Sequence, residues 1–320
     1  MIRRRLGKIF DPTGHTLPNG CTEFAQSPQT LAFDSFTRVY FSTRCMDVDG
    51  ATFRSHVAFT DMTPDFASVL RVSGHTVLPL GDLGTFDEHG IFPINVIREG
   101  DQVWGYTCGW NRRRSVSVDT AVGFVVSDDQ GETFRRLGPG PILGPSLNEP
   151  FLVGDAFVLK AEGRFHMWYM FGQRWVKESD QSAPDRVYKI GHAISPDGLT
   201  WTKQDGVQIL PDRIGPDECQ ALPSVIRWSG LYHMVFCYRA VHGFRTDPSK
   251  GYRIGYAHSS DLARWTRDDA ALGLTGQAGH WDSDMQCYPH LTVSGGRPYV
   301  LYNGNAFGRW GFGGVELDLK

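Results

Sequence analysis

Residues 190–201, IGHAISPDGLTW, combine a short β-strand, a tight turn and a closing tryptophan. Asp and Gly supply the side-chain hydrogen bonds and the positive φ that a tight hairpin turn requires. The pattern recurs as VGFVVSDDQGETF at residues 122–134 and as IGYAHSSDLARW at residues 254–265. We therefore predict three equivalent hairpins, with Phe134, Trp201 and Trp265 packed between neighbouring structural units.

Each hairpin belongs to a longer repeat. Five times along the chain an acidic residue stands five or six positions ahead of a short apolar strand, with a period of about 65 residues: Glu23, Asp87 with Glu88, Glu149, Asp217 with Glu218, and Asp284. A second strand, rich in aromatic and β-branched residues, follows each time. Repeats of this length, each forming a four-stranded sheet, are typical of β-propellers.

These patterns predict an all-β fold, a five-bladed β-propeller of four-stranded antiparallel blades. Residues 1–320 are expected to form this single domain, with blades at approximately 22–80, 87–143, 149–210, 217–275 and 284–320. The fifth blade supplies only three strands, so we assign its fourth strand to residues 4–10. This N-terminal strand is expected to close the ring and remove an open sheet edge.

Composition and charge exclude several classes of partner. The net charge of −3 gives no electrostatic basis for binding nucleic acid. No run of 18 apolar residues is present and no apolar segment follows the basic N-terminus, so neither a membrane span nor a secretion signal is predicted. The six scattered cysteines form no C-x-x-C or metal-binding motif. We expect reduced thiols, a cytoplasmic protein, and no cofactor or metal.

In a propeller, the starts of the first strands and the ends of the second strands share one rim. On this chain the strand starts carry the recurring acids, and the strand ends carry arginines. Taken singly, such an acid is as readily a turn former, and such an arginine a solvated charge. Repetition in register favours a functional ring, because buried like charges are costly unless they pair or act.

Two carboxyl groups, one protonated and one ionised, are the machinery of glycoside hydrolysis. Crowding of several acids around one channel separates their pKa values in this way. The five-bladed layout, the opening acids and the Ser-x-Asp-Gly-x-x-Trp hairpins resemble the five-bladed glycosidases of glycoside hydrolase families 43, 32, 68 and 130. The resemblance implies an enzyme that cleaves a glycosidic bond in the central channel.

The resemblance also implies roles for individual residues. Glu218, in Glu218-Cys219, is similar to the acid/base motif of the invertase-like members, and Glu149 is its rival as proton donor. Asp87 matches the second-blade carboxylate. Glu23 is the candidate base or nucleophile, although the opening motifs of the family are missing there. The other residues predicted to bind substrate are Glu88, His89, Arg44, Arg112, Arg174, Arg239, Asp155, Asp284, His290 and Trp110.

Two other functions remain open. His89 and the rim arginines would suit a phosphate, as in the phosphorylase members, or another anionic group. A propeller that binds a carbohydrate or metabolite without turnover would explain the departure in the first blade. The segment 127–134 also matches the Asp-box of sialidases, but five repeats argue against a six-bladed sialidase. The expected partner is a small carbohydrate or glycoside, with phosphate or another anion as a candidate second ligand.

Overall fold

A computed structural model describes residues 1–319, which form twenty β-strands and very little helix. The strands make five groups of four. The first two groups are β2 to β5, Glu23–Ala32, Thr37–Met46, Phe53–Met62 and Val69–Val72, and β6 to β9, Gly90–Glu99, Gln102–Arg112, Val118–Ser127 and Arg135–Arg136. The next two are β10 to β13, Val153–Ala161, Arg164–Val176, Asp185–Ser195 and Thr202–Lys203, and β14 to β17, Cys219–Trp228, Leu231–Arg239, Arg253–Ser259 and Thr266–Arg267. The last consists of β18 to β20, Cys287–Ser294, Arg297–Asn303 and Phe312–Leu317, with β1, Ile2–Phe10.

Within residues 1–319, helical structure is confined to short turns. They are the helix α1, Asp269–Leu272, and four 3-10 segments, Pro12–Gly14, Pro18–Gly20, Pro248–Lys250 and Asn305–Gly308. Across residues 1–319, no helix is long and apolar enough to cross a membrane.

Pairing within each group is antiparallel, as the sequence predicts. The first two groups touch through one parallel bridge between Ser55 and Gly90. In the last group, β1 lies on the outer side of β20, so the order is β18, β19, β20, β1. The first and last segments of the chain therefore share one sheet.

The first strands of the five groups surround a common centre. Contacts run from β2 to β6, β6 to β10, β10 to β14, β14 to β18, and from β18 back to β2. These strands are buried on both faces along most of their length. The side chains at their starts therefore lie near one another, although they are about 65 residues apart in sequence.

The hairpin aromatics pack between groups, which confirms the prediction made for them. Phe134 lies against Tyr40 with ring centroids 5.8 Å apart. Trp201 contacts Tyr106 at 6.0 Å, and Trp265 contacts Trp168 at 5.8 Å. In each case the partner is on the second strand of the preceding group. Aromatic pairs of this kind stabilise the contact beyond the apolar area that they bury.

Candidate functional site

A cavity of about 600 Å³ opens at the starts of the first strands. Every group of strands contributes to its wall. The lining includes Phe24 and Arg44 from the first group, Trp110 and Cys108 from the second, Asp155, Arg186 and Tyr188 from the third, Leu222, Arg239 and Tyr252 from the fourth, and Tyr288 and Arg309 from the last. A small-molecule site typically has such a volume and such a mixture of aromatic walls with few polar groups.

β-Bulges in the first strands aim several of these side chains into the cavity. Asp155, Leu222 and Tyr288 occupy equivalent positions, and each has a positive φ of 51° to 55°. At each of them the register with the second strand shifts. Bulges re-aim side chains, and a positive φ is uncommon for residues other than glycine. The repeated bulge thus places one residue of each of these strands at the site.

Asp155 is the single carboxyl group among the residues that line this cavity. It is 7% exposed and lies beside the Cys108 thiol and the Arg186 guanidinium. Burial raises the pKa of Asp155 to about 7, although the thiol and Arg186 both act to lower it. Because desolvation disfavours the charged form, this carboxyl group can hold or release a proton near neutral pH.

Five arginines line the same cavity: Arg44, Arg186, Arg239, Arg245 and Arg309. Two of them have carboxylate partners. Arg309 donates to Glu23 at 2.7 Å, and Arg245 lies 3.9 Å from Asp185. Within residues 1–319, no carboxylate forms an ion pair with the other three. The cavity therefore carries an excess of positive charge.

None of the four predicted catalytic acids, Glu218, Glu149, Asp87 and Glu23, lines the cavity. Glu218 is fully buried, with its Oε1 2.5 Å from Arg267 Nη1, and it accepts hydrogen bonds from the backbone N–H groups of Arg213 and Ile214. Such a carboxylate has its lone pairs occupied by protein donors, so the structure lends no support to Glu218 as the proton donor.

Glu149 and Asp87 are held in the same way. Glu149 is buried and accepts hydrogen bonds from Lys203 Nζ at 2.6 Å and from the Tyr169 hydroxyl at 2.7 Å. Asp87 is buried and paired with Arg136. Neither lines the cavity, so a direct role in substrate chemistry finds no support in this geometry.

The other predicted acids, Glu23, Glu88 and Asp284, are likewise absent from the cavity wall. Glu23, at the start of β2, pairs with the cavity-lining Arg309 and so reaches the site only through that arginine. Glu88 accepts a hydrogen bond from the backbone N–H of Gly84 within its own loop. Asp284 is exposed, and its carboxylate accepts a hydrogen bond from the Ser283 hydroxyl group.

The predicted binding residues divide between the cavity and its surroundings. Arg44, Arg239, Asp155 and Trp110 line the cavity. His89 stacks on Trp110 from behind, with ring centroids 5.9 Å apart.

Three other predicted binding residues have partners elsewhere. Arg112 is paired with Asp47, and Arg174 with Asp217. His290 is buried inside β18, where its Nε2 accepts a hydrogen bond from the backbone N–H of Thr30, and burial lowers its pKa to about 3. None of these three residues lines the cavity.

Sequence reasoning missed the contribution of the third strands. Arg186 and Tyr188 lie near the start of β12, and Val118 and Thr120 at the start of β8. In an antiparallel sheet, a third strand begins where the second ends, so its first residues belong to the same rim. The strand order predicted from the sequence was therefore sufficient to place the first residues of the third strands at this rim.

No family model matches the chain. Two proteins of Mycobacterium tuberculosis, MT1551 of strain CDC 1551 and Rv1502 of strain H37Rv, are each 32% identical to it over 322 residues, which cover 99% of this chain and 100% of theirs. Our chain belongs to their family. Both relatives are described as uncharacterized.

Solved structures show the fold of this family. A glycoside hydrolase matches with a TM-score of 0.75 and 16% identity over 100% of this chain and 92% of its own. A thermostable family-43 glycoside hydrolase matches with a TM-score of 0.66 and 16% identity over 92% and 90%. A sucrose-6-phosphate hydrolase from Lactobacillus gasseri matches with a TM-score of 0.61 and 11% identity over 93% and 61%. The structural likeness expected from the sequence is thereby confirmed for the fold.

Proposed function

We propose that this protein is a glycoside-processing enzyme in which Asp155 donates the proton to the leaving oxygen of a sugar bound in the cavity. Asp155 carries the proposal, since it is a buried carboxyl group with a pKa of about 7 facing a small-molecule cavity. A general acid works best when its pKa lies near the working pH. The aromatic side chains Trp110, Phe24 and Tyr288 offer flat apolar faces for sugar rings.

We infer a five-bladed ring, supported by five groups of four strands whose first strands contact one another in a circle. We infer that β1 closes this ring, supported by its pairing with β20. A cytoplasmic location is likewise proposed, supported by six free cysteines.

Hydrolysis by two carboxyl groups would need a second acid at the bond, about 5 to 9.5 Å from the first. Among the described residues, the cavity wall contains a single carboxyl group, that of Asp155. This observation favours a second candidate function, in which hydrogenphosphate attacks the anomeric carbon. The bond from that carbon to the leaving oxygen breaks, a bond to a phosphate oxygen forms, and Asp155 protonates the leaving oxygen. The proton of the attacking hydrogenphosphate then restores the carboxyl group.

Replacing Asp155 tests both candidates. We expect Asp155→Asn to lower turnover of a panel of 4-nitrophenyl glycosides by about 10²- to 10⁴-fold, with sugar affinity retained. Asp101→Asn, an exposed acid in the turn between β6 and β7 and outside the cavity wall, is the matched control and should be neutral. Full turnover by Asp155→Asn would contradict the assignment.

Assays with and without inorganic phosphate separate the two reactions. Phosphorolysis requires turnover that rises with phosphate and yields a glycosyl phosphate. Turnover that is independent of phosphate would indicate hydrolysis. Tight sugar binding without turnover under either condition would show a binding protein instead of an enzyme.

A further inference from the structure

Buried arginines elsewhere in this protein are paired with carboxylates. Arg38 is bound by Asp61 through Nε at 2.7 Å and Nη2 at 3.0 Å. Arg267 is bound by Glu218, and its Nη2 lies 2.9 Å from Asp269. This pairing is expected, because an isolated charge loses its hydration on burial and needs a compensating partner.

Arg239 departs from that pattern. It is 1% exposed, lines the cavity, and has no carboxylate partner within residues 1–319. Its Nε donates to the Tyr188 hydroxyl at 3.0 Å, and its Nη1 donates to the carbonyl groups of Ala240 and Val241. The guanidinium carbon lies 3.6 Å from the centre of the Phe244 ring. These contacts, together with a side-chain hydrogen bond to Tyr252, hold the guanidinium plane rigidly, and none of them supplies a negative charge.

A second guanidinium in the same cavity is also uncompensated. Arg44 is half-buried, and its Nε has no hydrogen-bond partner within residues 1–319. The group lies over the Phe24 ring at 5.1 Å. Burial lowers the pKa of Arg44, which reflects the cost of keeping this charge from water without an anion beside it.

We propose that Arg239 and Arg44 form an oxyanion subsite that binds a phosphate or carboxylate group within the sugar cavity. Guanidinium groups bind such oxyanions through paired N–H donors. The anion compensates the positive charges of Arg239 and Arg44, as aspartate and glutamate carboxylates compensate those of Arg38 and Arg267. The oxyanion is either a substituent of the sugar or free inorganic phosphate. The inference rests on the proposed function insofar as a sugar occupies the rest of the cavity.

Calorimetric titration tests this subsite independently of catalysis. The probes are inorganic phosphate, glucose 6-phosphate, glucuronate and, as the neutral reference, glucose. We expect at least one anionic probe to bind tenfold or more tightly than glucose at low salt. Binding of phosphate alone would indicate a free oxyanion, and preference for a charged sugar would indicate a substituent. Anions that bind no better than glucose would overturn the proposal.

Variants then locate the anion. Arg44→Gln and Arg239→Lys should each weaken anion binding at least tenfold. Arg264→Gln, which removes the same charge from an outer hairpin where the side chain is 92% exposed, is the matched control. Circular dichroism checks the folding of Arg239→Lys, and the half-buried Arg44 keeps the test decisive if that variant is unfolded. Wild-type anion affinity in Arg44→Gln would refute the subsite.

The two proposals can fail separately. Asp155→Asn tests proton donation by turnover, whereas the arginine variants test anion binding by heat release. If Asp155→Asn keeps full turnover while Arg44→Gln loses anion binding, only the proposed function fails. If Asp155→Asn loses turnover while Arg44→Gln keeps wild-type anion affinity, the oxyanion subsite fails and Asp155 stands as the proton donor.

Discussion

Buried charged residues in this protein are of two kinds, and the difference separates architecture from the site. Glu149 and Glu218 are surrounded by protein donors that satisfy them within the fold. Asp155 and Arg239 face the cavity instead, and neither has an opposite charge directly bonded to it within residues 1–319. A buried group without compensation costs folding free energy, and this cost is the reason that we propose a ligand at the second kind.

Asp155 makes the stability of the folded protein depend on pH. Its pKa rises from an ordinary value of 3.8 to about 7, so the folded state retains a proton that the unfolded state has lost. Its stabilising contribution is complete below pH 4 and is lost as the pH rises towards 7. Relative to Asp155→Asn, we expect the free energy of unfolding of the wild type to fall by about 2–4 kcal/mol between pH 4 and pH 8.

Urea unfolding of both proteins at several pH values measures this difference. The Asp155→Asn variant is the control for the wild type, because the two proteins share every other titrating group. A difference that is constant across the range would show that the Asp155 carboxyl group ionises normally.

At the scale of elements, three of the five recurring acidic positions form the same kind of ion pair. Asp87 pairs with Arg136 on β9, Glu149 with Lys203 on β13, and Glu218 with Arg267 on β17. Each pair ties the segment before an innermost strand to the outermost strand of the same sheet. This link holds the short fourth strand, which has only two residues in each of these groups, onto the rest of its sheet.

Replacing Glu149 distinguishes this architectural role from catalysis. Glu149→Gln removes the negative charge that compensates the largely buried Lys203 ammonium group. We therefore expect this substitution to reduce the free energy of unfolding by about 3–5 kcal/mol. Residual turnover and sugar affinity of the folded fraction should match the wild type. Glu99→Gln, whose partner Lys160 is exposed, should cost less than about 1 kcal/mol. A stable Glu149→Gln protein without activity would restore Glu149 as the proton donor.

At the scale of the whole molecule, β1 joins the two ends of the fold. Phe10, at the end of this strand, is 2% exposed and lies 5.2 Å from both Phe41 on β3 and Phe312 on β20. One aromatic cluster therefore connects the first group of strands with the last. Contacts between segments so distant in sequence couple the two groups of strands, so we expect them to unfold together.

Truncation of Phe10 should weaken that connection. We expect Phe10→Ala to lower the free energy of unfolding by about 3–5 kcal/mol, the usual cost of removing a buried phenyl ring. Hydrogen exchange should accelerate first in β1 and β20. Phe36→Ala, in the partly exposed turn between β2 and β3, should have a smaller effect in the same urea titration. Equal effects from the two substitutions would argue against β1 as the connecting strand.

The sequence by itself determined the strands, the hairpins and the repeat. Ser195, Asp197 and Gly198 specify a turn within a few residues, so local chemistry is sufficient to predict it. The same local pattern also predicted that Trp201 and Trp265 pack between sheets. Among the site residues, Arg44, Arg239, Trp110 and Asp155 were predicted because each lies at a strand end that faces the common rim.

Tertiary structure alone decided which charges reach the cavity. Glu149 and Asp155 are six residues apart, yet one is neutralised by Lys203 and the other is turned inward by a β-bulge. The partner of Glu149 is 54 residues away in sequence, and the neighbours of Asp155, Cys108 and Arg186, come from two different sheets. A repeat pattern shows that an acid recurs, but only the packing of sheets determines whether that acid is paired with another side chain or faces the cavity.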